Sequence, residues 1–412
     1  MTVSTRHARP GSWTRLILDE AFMMTGAQFR EIALPLLMVA LWPGSQSFAL
    51  ALAAVYLPSV VLARAAGRLA DGMEPKTLIL LSYAVRIMGV LGLLLSHRMV
   101  SAIASVVLLG VGMAINGPAL THYQASTAAR LNQVLVSRLR LVDSLSQAFV
   151  PVLAGGLIEA TGRDLGFLVS LACYVAAFGV MAGLPRAGPA RVHQPGAAKP
   201  TFRLPRAVLE QMAVGGAIAA LSWMANVLYT AYMLVDLHSG ALRYGLALGI
   251  WGGAGILSAA ILPRLNPARP ERLITALIVL MAVSWAVMTR PVGYWVVAGL
   301  GLPEGFGTFL LADLVQSRVL TEAGSGERGR WEATGSAWTA GGRLTGLAVA
   351  ASWPWLAHVH ATFFGLASLM LLLAVGWVRL TGPRLRSAAA SSTPGSPAAG
   401  RNHPPAGSPA TP

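Results

Sequence analysis

Charged side chains are scarce: only 11% of the 412 residues are Asp, Glu, Lys or Arg. A water-soluble domain carries about 25%, so this chain cannot build the charged shell that a soluble fold needs. Cysteine occurs once, as Cys173 inside an apolar run, which excludes an intramolecular disulfide framework. Lysine is almost absent, with Lys76 and Lys199 alone among 31 basic residues. No glycine-rich phosphate loop of the G-x-x-x-x-G-K-[ST] form is present, and neither lysine lies in such a context, so direct drive by ATP is not expected. No H-E-x-x-H or Cys/His cluster marks a metal site, and His358 and His360 stand as an isolated pair. No cofactor is implied. An integral-membrane enzyme should show a His, Asp or Cys cluster at one membrane face, and none is visible.

What is present instead is apolar sequence, 55% of the residues. Runs long enough to span a bilayer, about 20 residues each, fall near 14–42, 46–66, 77–96, 99–122, 134–160 and 165–184. A second set falls near 207–235, 244–262, 272–290, 292–313, 333–351 and 353–378. The runs are continuous rather than alternating, which favours helices over barrel strands. Asp19 and Glu20 interrupt the first run too early for a cleavable signal peptide, so it is expected to persist as a helix. Arg290 and Pro291 are all that separate the ninth run from the tenth.

Basic residues are distributed unevenly along the chain. With the N-terminus placed in the cytoplasm, 24 of the 31 fall in cytoplasmic segments, four outside (Arg98, Arg163, Arg243, Arg290) and three within spans (Arg30, Arg86, Arg343). Cytoplasmic loops of membrane proteins carry just this excess, so both termini are expected inside a cytoplasmic (inner) membrane. The same count accounts for the net charge of +15 and removes the case for nucleic-acid binding. The organisation expected is a segment 1–15, a six-helix bundle 16–184, a Pro- and Arg-rich linker 185–206, a second bundle 207–378 and a tail 379–412. The Ser, Ala, Pro and Gly composition of 387–412 predicts disorder. Twelve helices in two pseudo-symmetric six-helix bundles is an all-α transporter architecture, with a substrate site between the halves near mid-membrane.

The loop after the second span reads Gly67-Arg68-Leu69-Ala70-Asp71-Gly72-Met73-Glu74-Pro75-Lys76. It resembles the G-x-x-x-D-(R/K)-x-G-(R/K)-(R/K) signature of the major facilitator superfamily. Gly67 and Asp71 match, while Gly72 and Glu74 depart, and the second-half counterpart Pro263 to Arg272 is degenerate. The resemblance implies a conformational switching loop of Gly67, Arg68, Asp71 and Lys76, with Asp71 steadying one state through a helix terminus. Ile32-Ala33-Leu34-Pro35, Arg86, and Gln316 followed by Arg328-Gly329-Arg330 are similar to the branch of enterobactin exporters and macrolide efflux proteins. Ala27 and the stretch Pro151 to Gly156 depart from that branch. The resemblance implies the fold and, beyond it, efflux of a small molecule such as a drug or siderophore.

Charges at mid-span are costly and mark a cavity or a partner. Arg30, Glu31, Glu304 and Arg343 sit there, which leaves two readings open: a substrate or proton site, or Arg–Glu pairs that fasten helices. On the functional reading the chain is a proton-coupled antiporter of a small, partly apolar or anionic compound. Glu31 or Glu304 would carry the proton, and Arg30 and Arg343 would hold a carboxylate, a polar group or the acid itself. Asn226 and Tyr229 would line the cavity or glue helices together. Arg86 reads as structural. Asp19, Glu20, Asp143 and Asp313 lie near cytoplasmic ends, where a solvated acid is expected. Gly245, Gly249 and Gly253, and Gly301 and Gly305, recur every four residues and predict close helix packing. Pro303 places a bend beside Glu304. A monomer is expected, and uptake by the same fold is the alternative direction.

Overall fold

The computed structural model describes residues 11–42, 45–62, 65–66, 68–69, 73–128, 133–186, 205–261, 270–322, 328–352 and 358–391. Within them every regular element is a helix. The first six are α1 (Gly11–Leu41), α2 (Ser45–Val61), α3 (Pro75–Leu94), α4 (Met99–Ala128), α5 (Gln133–Thr161) and α6 (Arg163–Ala182). The second six are α7 (Arg206–Ala231), α8 (Ala241–Ile261), α9 (Pro270–Val287), α10 (Tyr294–Glu322), α11 (Arg328–Ser352) and α12 (Val359–Ser391). Nine of the described helices are long and apolar enough to cross a membrane. The apolar part of α2 is shorter, Ser47–Val61. α11 is diluted by Gly, Ser, Thr and charged residues.

Helix ends follow local chemistry. Pro75 opens α3 at its first position, where the missing N–H is no loss. Gly162 makes the turn from α5 into α6 with φ +96°, a conformation that side chains with a Cβ rarely adopt. α7 widens at its end into a π turn, Tyr232–Asp236, in which the Leu237 N–H donates to the Tyr232 carbonyl at 2.9 Å. Pro303 lies inside a continuous α10, so the expected bend does not end the helix.

Packing repeats between the two sets. In the first, α3 packs on α4 and α6, α1 on α5 and α6, and α2 on α4. In the second, α9 packs on α10 and α12, α7 on α11 and α12, and α8 on α10. Adding six to each helix number of the first set reproduces the second, which is the signature of two pseudo-symmetric bundles. They meet most extensively through two further pairs, α5 on α8 and α2 on α11. These pairs exchange under the same symmetry.

The α5–α8 seam depends on missing side chains. A Cβ on Gly245 would overlap the Pro151 carbonyl, one on Gly249 the Ala148 carbonyl, and one on Gly252 the Gln147 carbonyl. The sequence pattern named Gly253 as the third contact, but Gly253 faces open space. The steps 245, 249 and 252 follow the 3.6-residue turn, and a further full step of four rotates off the face. Gly342 and Gly346 bring α11 equally close to the Gly216 and Ala220 carbonyls of α7. Gly305 abuts the Trp251 carbonyl, whereas Gly301 keeps ordinary contact distance.

The linker residues 187–204 and the tail from 392 onward lie outside the described residues. α12 continues to Ser391 and so takes in the first part of the expected tail, residues 379–391. Ala388, Ala389 and Ala390 are strong helix formers that prolong the helix without needing a core.

Candidate functional site

The two ends of the bundles are defined by which helix termini meet. At the start of α3, Lys76 donates to the carbonyls of Ala182 at 2.8 Å and Leu184 at 2.5 Å, at the end of α6. Arg15, near the start of α1, donates to the Gly183 carbonyl at 2.8 Å. Arg186 pairs with Glu74 at 3.7 Å. This end leads into the linker and is called the linker face. At the other end, Glu159 near the end of α5 accepts a hydrogen bond from the Leu242 N–H at the start of α8, at 2.7 Å. Tyr294 donates to the Arg243 carbonyl at 2.7 Å, and His360 lies 2.8 Å from the Met288 carbonyl.

At a rise of 1.5 Å per residue, Arg30, Glu31, Tyr56, Trp223, Asn226, Glu304 and Arg343 all lie between about 13 and 20 Å from the opposite face. They share one level, near the middle of a bilayer core of about 30 Å. Sequence distance hides this, since they come from five helices.

Arg30 is buried on α1, and its Nη2 lies 3.5 Å from Glu31 Oε1. The Glu31 side chain is 47% exposed although it sits at mid-span. It lies in the electrostatic neighbourhood of Tyr56 on α2, Asp143 on α5 and Tyr244 on α8. Those helices come from both bundles, so Glu31 lies where the bundles face each other. The guanidinium carbon of Arg343 on α11 lies over two rings, 5.3 Å from the Trp223 centroid and 5.8 Å from the Tyr56 centroid. The rings meet each other edge to face at 4.6 Å. Each such cation–ring contact is worth up to about 2 kcal/mol where water is excluded. Asn226 is half-buried one turn along α7 from Trp223.

Glu304 belongs to a different group. It is buried in the second bundle, where the Trp285 indole N–H faces its carboxyl without closing to full hydrogen-bond geometry. Tyr229, packed on Phe363 with centroids 5.0 Å apart, is its other polar neighbour. Arg86 lies inside the first bundle among Tyr83, Tyr174 and Glu20, and packs against Gly112 of α4.

The four mid-span charges therefore do not form one cluster. Arg30 and Glu31 pair, Arg343 lies over two rings, and Glu304 has no cation paired to it among the described residues. Of the loop residues, Gly67 and Asp71 lie outside the described residues, Arg68 is exposed, and the hydrogen bonds of Lys76 clamp α3 to α6 within the first bundle. One acid expected to be solvated is not: Asp19 is 2% exposed and accepts a hydrogen bond from Tyr83 at 2.8 Å. Tyr83 on α3 supplies a phenol to Oδ2, while the buried Oδ1 has no hydrogen-bond partner among the described residues. Asp143 accepts from Gln147 at 2.9 Å, and Asp313 pairs across the bundles with Arg140 at 3.6 Å. Sequence reasoning missed Tyr56 and Trp223. Their signal was weak, because aromatic residues in apolar runs are ordinary packing.

A family model for the Major Facilitator Superfamily matches residues 21–342. None of the curated proteins compared is a significant match. Solved structures share the fold at low identity. A bacterial homologue of the iron transporter ferroportin in an inward-facing state is 17% identical with TM-score 0.73, over 90% of this chain and 99% of that one. Such a homologue in an outward-facing state, soaked with iron, gives 16% and 0.59, over 89% and 98%. The human organic anion transporter MFSD10 gives 15% and 0.66, over 90% and 100%. The family model spans most of the sequence, and the chain belongs to the Major Facilitator Superfamily, a family of membrane transporters and not of enzymes.

Proposed function

We propose that this transporter is a proton-coupled exporter of a small organic molecule that works by alternating access. The observation that carries the reading is the mid-depth group of Arg30, Glu31, Tyr56, Trp223 and Arg343. It draws side chains from both bundles to one level, and it includes a half-exposed carboxylate where lipid would tolerate none. Rocking of the bundles about this level would present it to either side of the membrane.

The charge distribution supports a cytoplasmic linker face, with both termini inside. The bundles touch on the opposite face through Glu159 and the glycine seam of α5 and α8. That contact supports an inward-facing state, in which the Arg140–Asp313 pair is the cross-bundle contact nearer the linker face among the described ion pairs. Among the described residues no group of three or more His, Cys, Asp or Glu is placed to hold a metal ion. The likeness to the ferroportin homologues is therefore taken as one of fold, with no metal cargo inferred.

Glu304 is assigned the proton. It is a buried carboxyl with no cation beside it among the described residues, and an unpaired charge there is costly, so its ionisation must follow changes in its surroundings. Glu31, held by Arg30, is assigned to the substrate cavity. The test is accumulation of drugs and siderophores in cells lacking or overproducing the protein, paired with inside-out vesicles under an imposed proton gradient. Export predicts lower accumulation in overproducing cells and gradient-driven uptake into inside-out vesicles. Higher accumulation in those cells would reverse the direction.

A further inference from the structure

We propose that the cavity is an anion site anchored by Arg343, and that its substrates are organic monoanions: one carboxylate on an apolar, ring-containing body. This rests on the transporter reading above and names the substrate class of the same site.

Arg30 and Arg343 lie at one depth and are treated differently. Arg30 has Glu31 at 3.5 Å. Among the described residues no carboxylate pairs with Arg343, and its buried Nε has no hydrogen-bond partner. A cation left uncompensated at mid-depth is costly, so a fold that needed Arg343 only as a fastener would be expected to give it an acid, as it gives Arg30. It receives two ring faces instead, Trp223 at 5.3 Å and Tyr56 at 5.8 Å.

That choice has a geometric consequence. A ring face attracts a cation without offering the in-plane lone pairs that its N–H donors seek, so the donors along the guanidinium edge stay available. The edge is a planar fork of donors matched to the two oxygens of a carboxylate. Arg343 is thus held in place by groups that do not use its hydrogen-bonding edge. An incoming anion supplies the missing charge.

Charge counting gives the valence. Arg30 is offset by Glu31, and Arg86 lies inside the first bundle rather than between the two. Glu304 lies inside the second bundle, and Asp143 acts on Glu31 from α5, so among the described residues Arg343 is the mid-depth cation with no acid paired to it, enough for one negative charge. Trp223 and Tyr56 are half-buried, so each keeps part of its ring surface for an apolar body, and Asn226 adds a neutral polar group one turn away. A cationic substrate would meet Arg343 with like charge.

Arg343 and Trp223 belong to the second bundle and Tyr56 to the first. The stack therefore bridges the bundles, and rocking must separate Arg343 from one ring. A bound carboxylate compensates the guanidinium while that ring is away.

The experiment is isothermal titration of the full-length protein in nanodiscs with three probes of one shape: 2-naphthoate, 2-naphthalenemethanol and 2-naphthylmethylammonium. The naphthoate is expected to bind at least tenfold more tightly than the alcohol, with no binding of the ammonium. Arg343→Gln should weaken naphthoate at least tenfold and leave the alcohol unchanged. Arg343→Lys, which keeps the charge and protects against a folding failure, should fall between them because it loses the fork and the stack. Equal affinity for the alcohol or the ammonium, unchanged naphthoate binding in both variants, or no binding of any probe would each overturn the substrate class. The transporter reading is scored apart from this, by two-sided accessibility of a cysteine in the cavity, which needs no substrate.

Discussion

Glu159 closes the opposite face with a carboxylate placed on the N-terminus of a helix in the other bundle. Its Oε2 accepts the Leu242 N–H at 2.7 Å, one residue into α8. Two effects act together there. An exposed hydrogen bond contributes about 1 kcal/mol. The positive end of the helix dipole adds about 0.5 kcal/mol for a negative charge on the first turn. Glu159→Ala should thus cost the closed state about 1.4 kcal/mol, a tenfold shift in population. Glu159→Gln keeps an acceptor oxygen and loses the charge, so its shift should be about a third as large in free energy. Spin labels at Ala160 and Arg290, both exposed on that face and in different bundles, would read the change in a Cys173→Ser background. The alanine variant should gain a longer-distance population that the wild type scarcely shows, and the glutamine variant less of it. High salt should reduce the difference between wild type and glutamine. An unchanged distance distribution in the alanine variant would refute the latch and leave the glycine seam as the whole closure.

Glu304→Gln should abolish proton-driven transport while sparing substrate binding, checked by vesicle transport against titration calorimetry; transport against a gradient in this variant would remove Glu304 as the coupling residue. Glu31→Gln frees Arg30 from its partner and should change substrate affinity more than coupling, read by the same two assays. Gly252→Leu drives a side chain into the Gln147 carbonyl, so it should strain the α5–α8 seam by about 1–3 kcal/mol and favour the face-open state in the spin-label measurement. Lys76→Met removes two hydrogen bonds to the end of α6 and should lower thermal stability in detergent by about 1–2 kcal/mol, with cavity binding unchanged.

The architecture was legible because its signals are strong. Helix number followed from the spacing of apolar runs. Arg30, Glu31, Glu304 and Arg343 stood out because a charge in an apolar run has no ordinary explanation. Their partners did not stand out. Tyr56 and Trp223 lie far apart in sequence and become a stack only when α2, α7 and α11 converge. Asp19 looked solvated because sequence places it near a helix end, whereas the cover comes from Tyr83 on another helix. Gly252 was passed over for Gly253 because a fixed step of four drifts off a turn of 3.6 residues. The link between Glu159 and the Leu242 amide belongs to the meeting of two bundles, which no local pattern encodes.

The most direct test of the account is whether its mid-depth level opens to both sides. Asn226→Cys, in a Cys173→Ser background, places one thiol half-buried at that level, one turn from Trp223. A membrane-impermeant thiol reagent is applied from either side in sealed vesicles of known orientation. The account predicts modification from the cytoplasmic side in the wild type, and a roughly tenfold rise in modification from the outside when Glu159→Ala is added. Modification from one side alone, with and without Glu159→Ala, would contradict alternating access about this site.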